Sequence, residues 1–217
     1  MRLDRTAIDA LESRRRVALI NSIIGLRPVV LVATADAGGR SNLAVMNSLM
    51  HVGARPPLLG LLFRPDTVER HTLENIRATG AYTVNHVHGA IVDAAHQTSA
   101  RYARDVSEFD AVGLTADWRD GFEAPFVAEA RVSLALRLCE EQNIRSNGTH
   151  LVIGELCSLH CPDDAITDAG SFDPASAGSL AVAGLDTYYH GGPVARLAYA
   201  RADMPPRRID AASLSTD

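Results

Sequence analysis

The sequence predicts a mainly β protein, a closed or partly closed antiparallel β-barrel with helices packed outside it, and three observations carry that prediction. Two long stretches, Arg131 to Leu138 and His150 to Cys161, alternate in polarity and flank Asn147-Gly148, the dipeptide that favours a tight primed hairpin turn. A second pair of extended stretches, the β-branched run after Pro28 and the segment Ser41 to Met46, is separated by the turn residues Asp36-Ala37-Gly38-Gly39. Helical and extended stretches do not alternate as repeated βα units, so a doubly wound sheet is the weaker alternative.

Taken in chain order, Ile8, Leu11, Val17 and Ile20 with charges between them predict a surface helix over residues 4–20. Pro28 opens PVVLVATA, apolar on both faces and therefore suited to a strand covered on both sides. Arg55-Pro56-Pro57 interrupts the chain before Leu58 to Phe63, a third buried strand. A short helix follows, with Thr72 as its expected N-cap, Leu73 and Ile76 as its apolar stripe, and Gly80 where a left-handed C-terminal residue is wanted. Ala81 to Val87 is the next strand, and a polar helical stretch runs from Ile91 through Phe109. After the long hairpin, Pro162 to Tyr199 is loop with short helices, and MPPRRIDAASLSTD is a loose tail. The division expected is a helical segment over 1–26, one barrel domain over 27–200 and a flexible tail over 201–217.

A chain of 217 residues with 47% apolar composition has material for an unaided core, burying roughly 70% of its unfolded surface. Its longest apolar runs fall well short of the roughly 20 residues that span a bilayer, so no membrane span is expected. All 21 basic side chains are arginine. A lysine Schiff base, a Walker A phosphate grip and a lysine general base are therefore excluded. The net charge of −5 with dispersed arginines argues against nucleic acid as a partner. The N-terminus mixes acids with arginines and has no apolar h-region, so no signal peptide is read there. Three cysteines, Cys139, Cys157 and Cys161, fit a reducing compartment, and a cytoplasmic location is expected.

The sharpest local signal is the cluster Arg64, Arg70, His71 and Thr72 at the start of the short helix. A helix N-terminus offers free N–H groups and the positive end of its dipole, and arginine adds a fork-shaped donor, a combination suited to phosphate. The plain alternative is a capped surface helix with solvated arginines.

Around this cluster stand Thr34-Ala35-Asp36, Asn42-Leu43-Ala44-Val45, Asn47-Ser48, Pro56-Pro57, Arg70-His71-Thr72, Asn75-Ile76 and Thr79-Gly80. Further on come Gln97-Thr98-Ser99, Glu108-Phe109, Gly148-Thr149-His150, Gly154-Glu155, Ala183-Gly184-Leu185-Asp186 and Tyr188-Tyr189. In this order, from Arg27 to Tyr199, they resemble the flavin reductase-like proteins with an FMN-binding split barrel. Three positions depart from the pattern: Val45 stands where the family often has Pro, Asn47 where it often has Ser, and His71 where Asp is common. They bear on ring contacts and leave the phosphate grip intact.

The resemblance implies an antiparallel Greek-key split barrel and an NAD(P)H-dependent flavin oxidoreductase, with NADH or NADPH as co-substrate and FMN, or FAD as the alternative, as flavin. It implies that Arg64, Arg70 and Thr72 hold the ribityl phosphate, with His71 beside them among the cofactor-binding residues. Met46, Asn47, Ser48 and Leu49 would present backbone groups to the pyrimidine edge, where negative charge develops as hydride reaches N5. His150 matches a position near the nicotinamide pocket and is the expected catalytic residue. A homodimer and a partner monooxygenase supplied with reduced flavin are also implied. Two other readings share the site: a flavin-binding protein without nicotinamide turnover, and an FMN enzyme acting on its own small organic substrate.

Other candidates have plainer readings. His86 and His88 share a strand face, but no carboxylate or cysteine is paired with them by spacing, so no metal site is assigned. Cys157 and Cys161 read as small buried hydrophobes, and Trp118 as a packing residue. No Gly-x-Ser-x-Gly elbow is present to support hydrolase chemistry.

Overall fold

The computed structural model describes residues 1–119 and 121–209. Seven strands form the main sheet: β1 (Val30–Ala35), β2 (Ser41–Met46), β3 (Leu49–Ala54), β4 (Pro57–Phe63), β5 (Ala81–His86), β6 (Ser133–Ile144) and β7 (Thr149–His160). Their order is β2-β1-β5-β6-β7-β4-β3, and every neighbouring pair is antiparallel. The two edge strands, β2 and β3, are consecutive in the chain and joined by Asn47 and Ser48 alone. A link that short spans only about 10 Å, so the twisted sheet must curl until its edges meet there. The result is a barrel split along one seam.

β1 is buried along its whole length, which explains why PVVLVATA lacks polar alternation. On one face Leu31 and Ala33 pack with Leu43, Val87, Phe109 and Val127. On the other, Val30 and Val32 join Leu61, Phe63, Tyr82 and Leu136, together with Leu73 and Ile76 from the short helix. Edge strand β2 is covered rather than left as a template for pairing. Its Leu43 N–H donates to Glu108 at 2.9 Å and its Val45 N–H donates to the Thr98 hydroxyl at 2.9 Å.

Five α-helices surround the sheet: α1 (Arg5–Asp9), α2 (Ser13–Ser22), α3 (His71–Thr79), α4 (Val92–Gln97) and α5 (Glu108–Val112). The single leading helix expected over 4–20 is two helices, because the Asp4 carboxylate caps the first and the Glu12 carboxylate starts the second. α3 ends as its sequence predicts: Gly80 has φ +70° and its N–H closes on the Ile76 carbonyl at 2.8 Å. Its start differs. The N-cap residue is Arg70, and Thr72 is the second residue of the helix, with its hydroxyl turned to Asn42 of edge strand β2. The helix expected from Ile91 through Phe109 is broken into α4 and α5.

Three further expectations change. Strand β3 was not anticipated, since LMHVGA carries a glycine and a histidine on an exposed edge. The long hairpin turns at Asn147-Gly148, but through the four residues between Ile144 and Thr149 rather than a two-residue turn. Asn147 Oδ1 accepts from both the N–H and the hydroxyl of Thr149, and Gly148 takes φ +73°. Trp118 is 49% exposed instead of packed, and Cys157 is exposed rather than buried.

Past the hairpin the expected loops carry short strands. Arg27–Pro28 pairs with Ala181–Ala183, which pairs with Thr187–Tyr189. In the expected tail Arg208–Ile209 pairs with Arg196–Leu197, and residues 210–217 lie outside the described residues. Among the described residues no helix is long and apolar enough to cross a membrane.

Candidate functional site

The seam is where the sheet stops hydrogen-bonding to itself. Met46 pairs with Val30 and Leu49 with Leu61, so Asn47 and Ser48 between them belong to neither ladder. The Ser48 hydroxyl donates to the Leu62 carbonyl at 2.8 Å and holds the link against the end of β4. The Asn47 amide donates to the Gly184 carbonyl at 3.1 Å, and its oxygen accepts from Arg27 at 3.4 Å. Their backbone groups make no ladder hydrogen bonds.

β4 ends at Phe63, and the chain then runs through Arg64 to Arg70 before entering α3. Arg64 is exposed and has no ion-pair partner among the described residues. Arg70 Nε donates to the Pro65 carbonyl at 3.3 Å, so its guanidinium folds back along the same loop. Its own N–H donates to Glu74 at 3.0 Å, which holds the Glu74 carboxyl below the usual carboxylate range. Glu74 also pairs with Arg104.

His71 and Thr72 diverge. His71 lies 3.5 Å from Glu69 and lines a small polar concavity with Asp36, Arg40, Asn42, Asn75 and Arg104. Thr72 is buried, and its hydroxyl donates to Asn42 Oδ1 at 2.8 Å. Asn42 in turn donates to Glu108 at 2.7 Å, while Asn75 donates to the Thr34 hydroxyl at 3.1 Å. With the Thr72 hydroxyl spent on Asn42 and the Arg70 N–H on Glu74, the backbone N–H groups of His71, Thr72 and Leu73 have no partner within the helix.

His150 opens β7 directly across from Phe63 and is buried. Its Nδ1 lies 2.7 Å from Glu141 Oε1 and 3.2 Å from Arg77 Nη2. Its Nε2 is 3.2 Å from Asp66 Oδ1 but off the axis a hydrogen bond requires, and makes none. Arg77 grips Glu141 through two nitrogens, at 2.9 and 2.5 Å, and reaches Asp66 at 3.1 Å. Its guanidinium holds both carboxyls below their ordinary values, with His150 adding to the effect on each. His150 therefore sits between two carboxylates, with Glu141 and Arg77 at Nδ1 fixing the orientation of its ring.

Around the end of β4 the structure thus links Ser48, bonded to the Leu62 carbonyl, with Arg64, with Arg70, bonded to the Pro65 carbonyl, and with His150, paired with Phe63, while Met46, Asn47 and Leu49 flank Ser48 in the chain. It gives the Thr72 side chain to a buried network instead. Sequence reasoning missed Arg27, Arg40, Arg104 and the Glu108–Asn42 contact, since the residues concerned meet only through the fold. His86 and His88 are structural: His86 Nδ1 is 2.9 Å from the Ser179 hydroxyl, and His88 Nε2 is 2.9 Å from the Glu129 carbonyl.

The sequence profile of the flavin reductase like domain matches residues 26–188. A provisionally assigned flavin reductase with split barrel domain from Shewanella frigidimarina is 45% identical, with a TM-score of 0.89 over 92% of this chain and 100% of that one. Nitrilotriacetate monooxygenase component B from Bacillus cereus is 21% identical, with a TM-score of 0.77 over 89% of this chain and 96% of that one. The 2-nitrobenzoate 2-nitroreductase NbaA of Pseudomonas fluorescens is 19% identical, with a TM-score of 0.77 over 94% and 98%. At those identities the last two likenesses establish a shared fold.

Proposed function

This chain belongs to the flavin reductase-like family, and from that premise we propose that it is an NAD(P)H-dependent flavin oxidoreductase that binds FMN along the seam. The observation that carries the reading is the unladdered Asn47-Ser48 link, tied by the Ser48 hydroxyl to the Leu62 carbonyl two residues before Arg64, which has no ion-pair partner among the described residues. A planar heterocycle needs backbone donors and acceptors along its edge, and its phosphate needs positive charge a short distance away.

Bound flavin would supply the hydride-accepting chemistry, which no side chain here can provide. Met46 to Leu49 would orient the pyrimidine edge through backbone groups. Arg64 and Arg70 would neutralise the phosphate, with His71 and Thr72 contributing through the N–H groups at the start of α3. His150 would border the nicotinamide, where its fixed position excludes water and sets the approach of the ring. Residues 27–200 form the working domain in this reading, which acts as a homodimer. The likeness to a monooxygenase component supports a role in supplying reduced flavin to an oxygenase. The likeness to a nitroreductase favours a second reading, in which the same site serves an organic acceptor.

Titration of the purified protein with FMN, FAD and riboflavin, followed by NADH and NADPH oxidation assays with each flavin, tests the proposal. Saturable FMN binding and flavin-dependent nucleotide oxidation are expected. Tight flavin binding without oxidation of either nucleotide would favour a binding protein, and no saturable signal with any flavin would overturn the reading.

A further inference from the structure

Arg27 is the one arginine among the described residues that has a buried donor without a partner. Its Nη2 donates to the carbonyls of Asn21 at 2.9 Å and Gly184 at 2.7 Å, and its Nη1 donates to Asn47 Oδ1 at 3.4 Å. All three acceptors are neutral. Its Nε–H is buried without a partner. Arg77, Arg104, Arg119 and Arg137 each pair with a carboxylate, whereas no carboxylate pairs with Arg27 among the described residues. Burial is the sole influence on its pKa, which it lowers, and a guanidinium stays charged under such a shift.

A half-buried cation held only by neutral groups, with its buried Nε–H unspent, loses hydration and gains no counterion. Such an arrangement is explained when the missing negative charge arrives with a ligand. Asn47 connects it to the seam. With its oxygen on Arg27 and its amide nitrogen on the Gly184 carbonyl, the Asn47 side chain has one orientation, and that orientation fixes the adjoining backbone.

We propose that Arg27 is a positioning residue that holds Asn47 and supplies uncompensated positive potential to the seam, favouring the reduced, negatively charged flavin over the oxidised one. The inference rests on the flavin reading above and assigns a source for part of the protein's preference between the two redox states. Its reach depends on charge, so lysine should substitute and glutamine should not.

The test measures the two-electron midpoint potential of bound FMN, together with the dissociation constant of the oxidised form, in wild type, Arg27→Lys, Arg27→Gln and Asn21→Asp. The last variant adds a carboxylate on the residue whose carbonyl Arg27 already grips, without removing any contact of Arg27. For Arg27→Gln the reduced form should lose about tenfold more affinity than the oxidised form, a fall of about 30 mV. Asn21→Asp should shift the potential the same way by a smaller amount, and Arg27→Lys should keep the wild-type value. Equal losses for both redox forms in Arg27→Gln would reduce Arg27 to a structural tie and overturn the inference. If that variant does not fold, an unmoved potential in Asn21→Asp overturns it alone. Wild-type protein that binds no FMN would instead bring down the flavin reading and this inference with it.

Discussion

The Thr72 hydroxyl donates to Asn42 Oδ1 at 2.8 Å, and this bond ties the first turn of α3 to edge strand β2. Asn42 passes the connection on to Glu108, a buried carboxylate that also accepts the Leu43 N–H. Helix, edge strand and α5 are thereby locked into one buried polar network, where each unsatisfied member is costly.

Asn42→Ala breaks that network at its centre. It leaves the Thr72 hydroxyl without its acceptor and Glu108 with one donor fewer, so a loss of about 2–4 kcal/mol in unfolding free energy is expected. Urea denaturation checks this; a change below about 0.5 kcal/mol, the size of an ordinary surface substitution, would mean that water replaces the amide without penalty.

Arg70→Ala removes a guanidinium from the loop before α3 and should weaken FMN binding by roughly 1.5–3 kcal/mol while leaving riboflavin affinity nearly unchanged. Thr72→Val, by contrast, should cost stability more than phosphate affinity, because the hydroxyl proton is committed to Asn42. Fluorescence titration with both flavins separates the two effects, and equal losses for FMN and riboflavin in Arg70→Ala would remove that arginine from the phosphate site.

For His150→Ala a larger loss in nucleotide-dependent rate than in flavin affinity is expected. The imidazole stands across from Phe63 at the end of β4, and its loss leaves Glu141 and Asp66 on Arg77 alone. Steady-state rates measured beside flavin dissociation constants decide the matter; matched losses would assign His150 to architecture.

Burial pushes the His86 imidazole down to about 4. A group that protonates less readily folded than unfolded favours unfolding as acid is added. Stability should be intact above the ordinary histidine value near 6.5 and decline as pH falls toward about 4, by roughly 3 kcal/mol at most. His86→Gln should flatten the profile across that window, as read by thermal melts at a series of pH values; an unaltered slope would place the acid sensitivity elsewhere.

Tyr82 points its hydroxyl at Gly154, where an added Cβ would come within 2.8 Å of Cζ. Gly154→Ala should therefore destabilise by about 1–3 kcal/mol through overpacking. Tyr82→Phe deletes a buried hydroxyl that has no partner and should be neutral or slightly stabilising. Combining the two should recover part of the glycine variant's loss, and strict additivity would show that the contact relaxes by another route.

The sequence by itself determined what depends on neighbours along the chain. The β1–β2 hairpin follows from its turn residues, the end of α3 from the left-handed freedom of Gly80, and the long β6–β7 hairpin from alternation around Asn147-Gly148. The absence of lysine settled in advance which anion donors were available. Only the tertiary structure decided the partners of those elements. Glu108 and Asn42 are 66 residues apart, and Arg27 meets Gly184 across 157, so no local pattern announces either contact. Thr72 looked like a helix cap because capping is a local interaction, but a buried hydroxyl takes the acceptor that the fold brings to it. The seam itself exists because sheet closure brings the first and last strands together at Asn47-Ser48, and closure is a property of all seven strands at once.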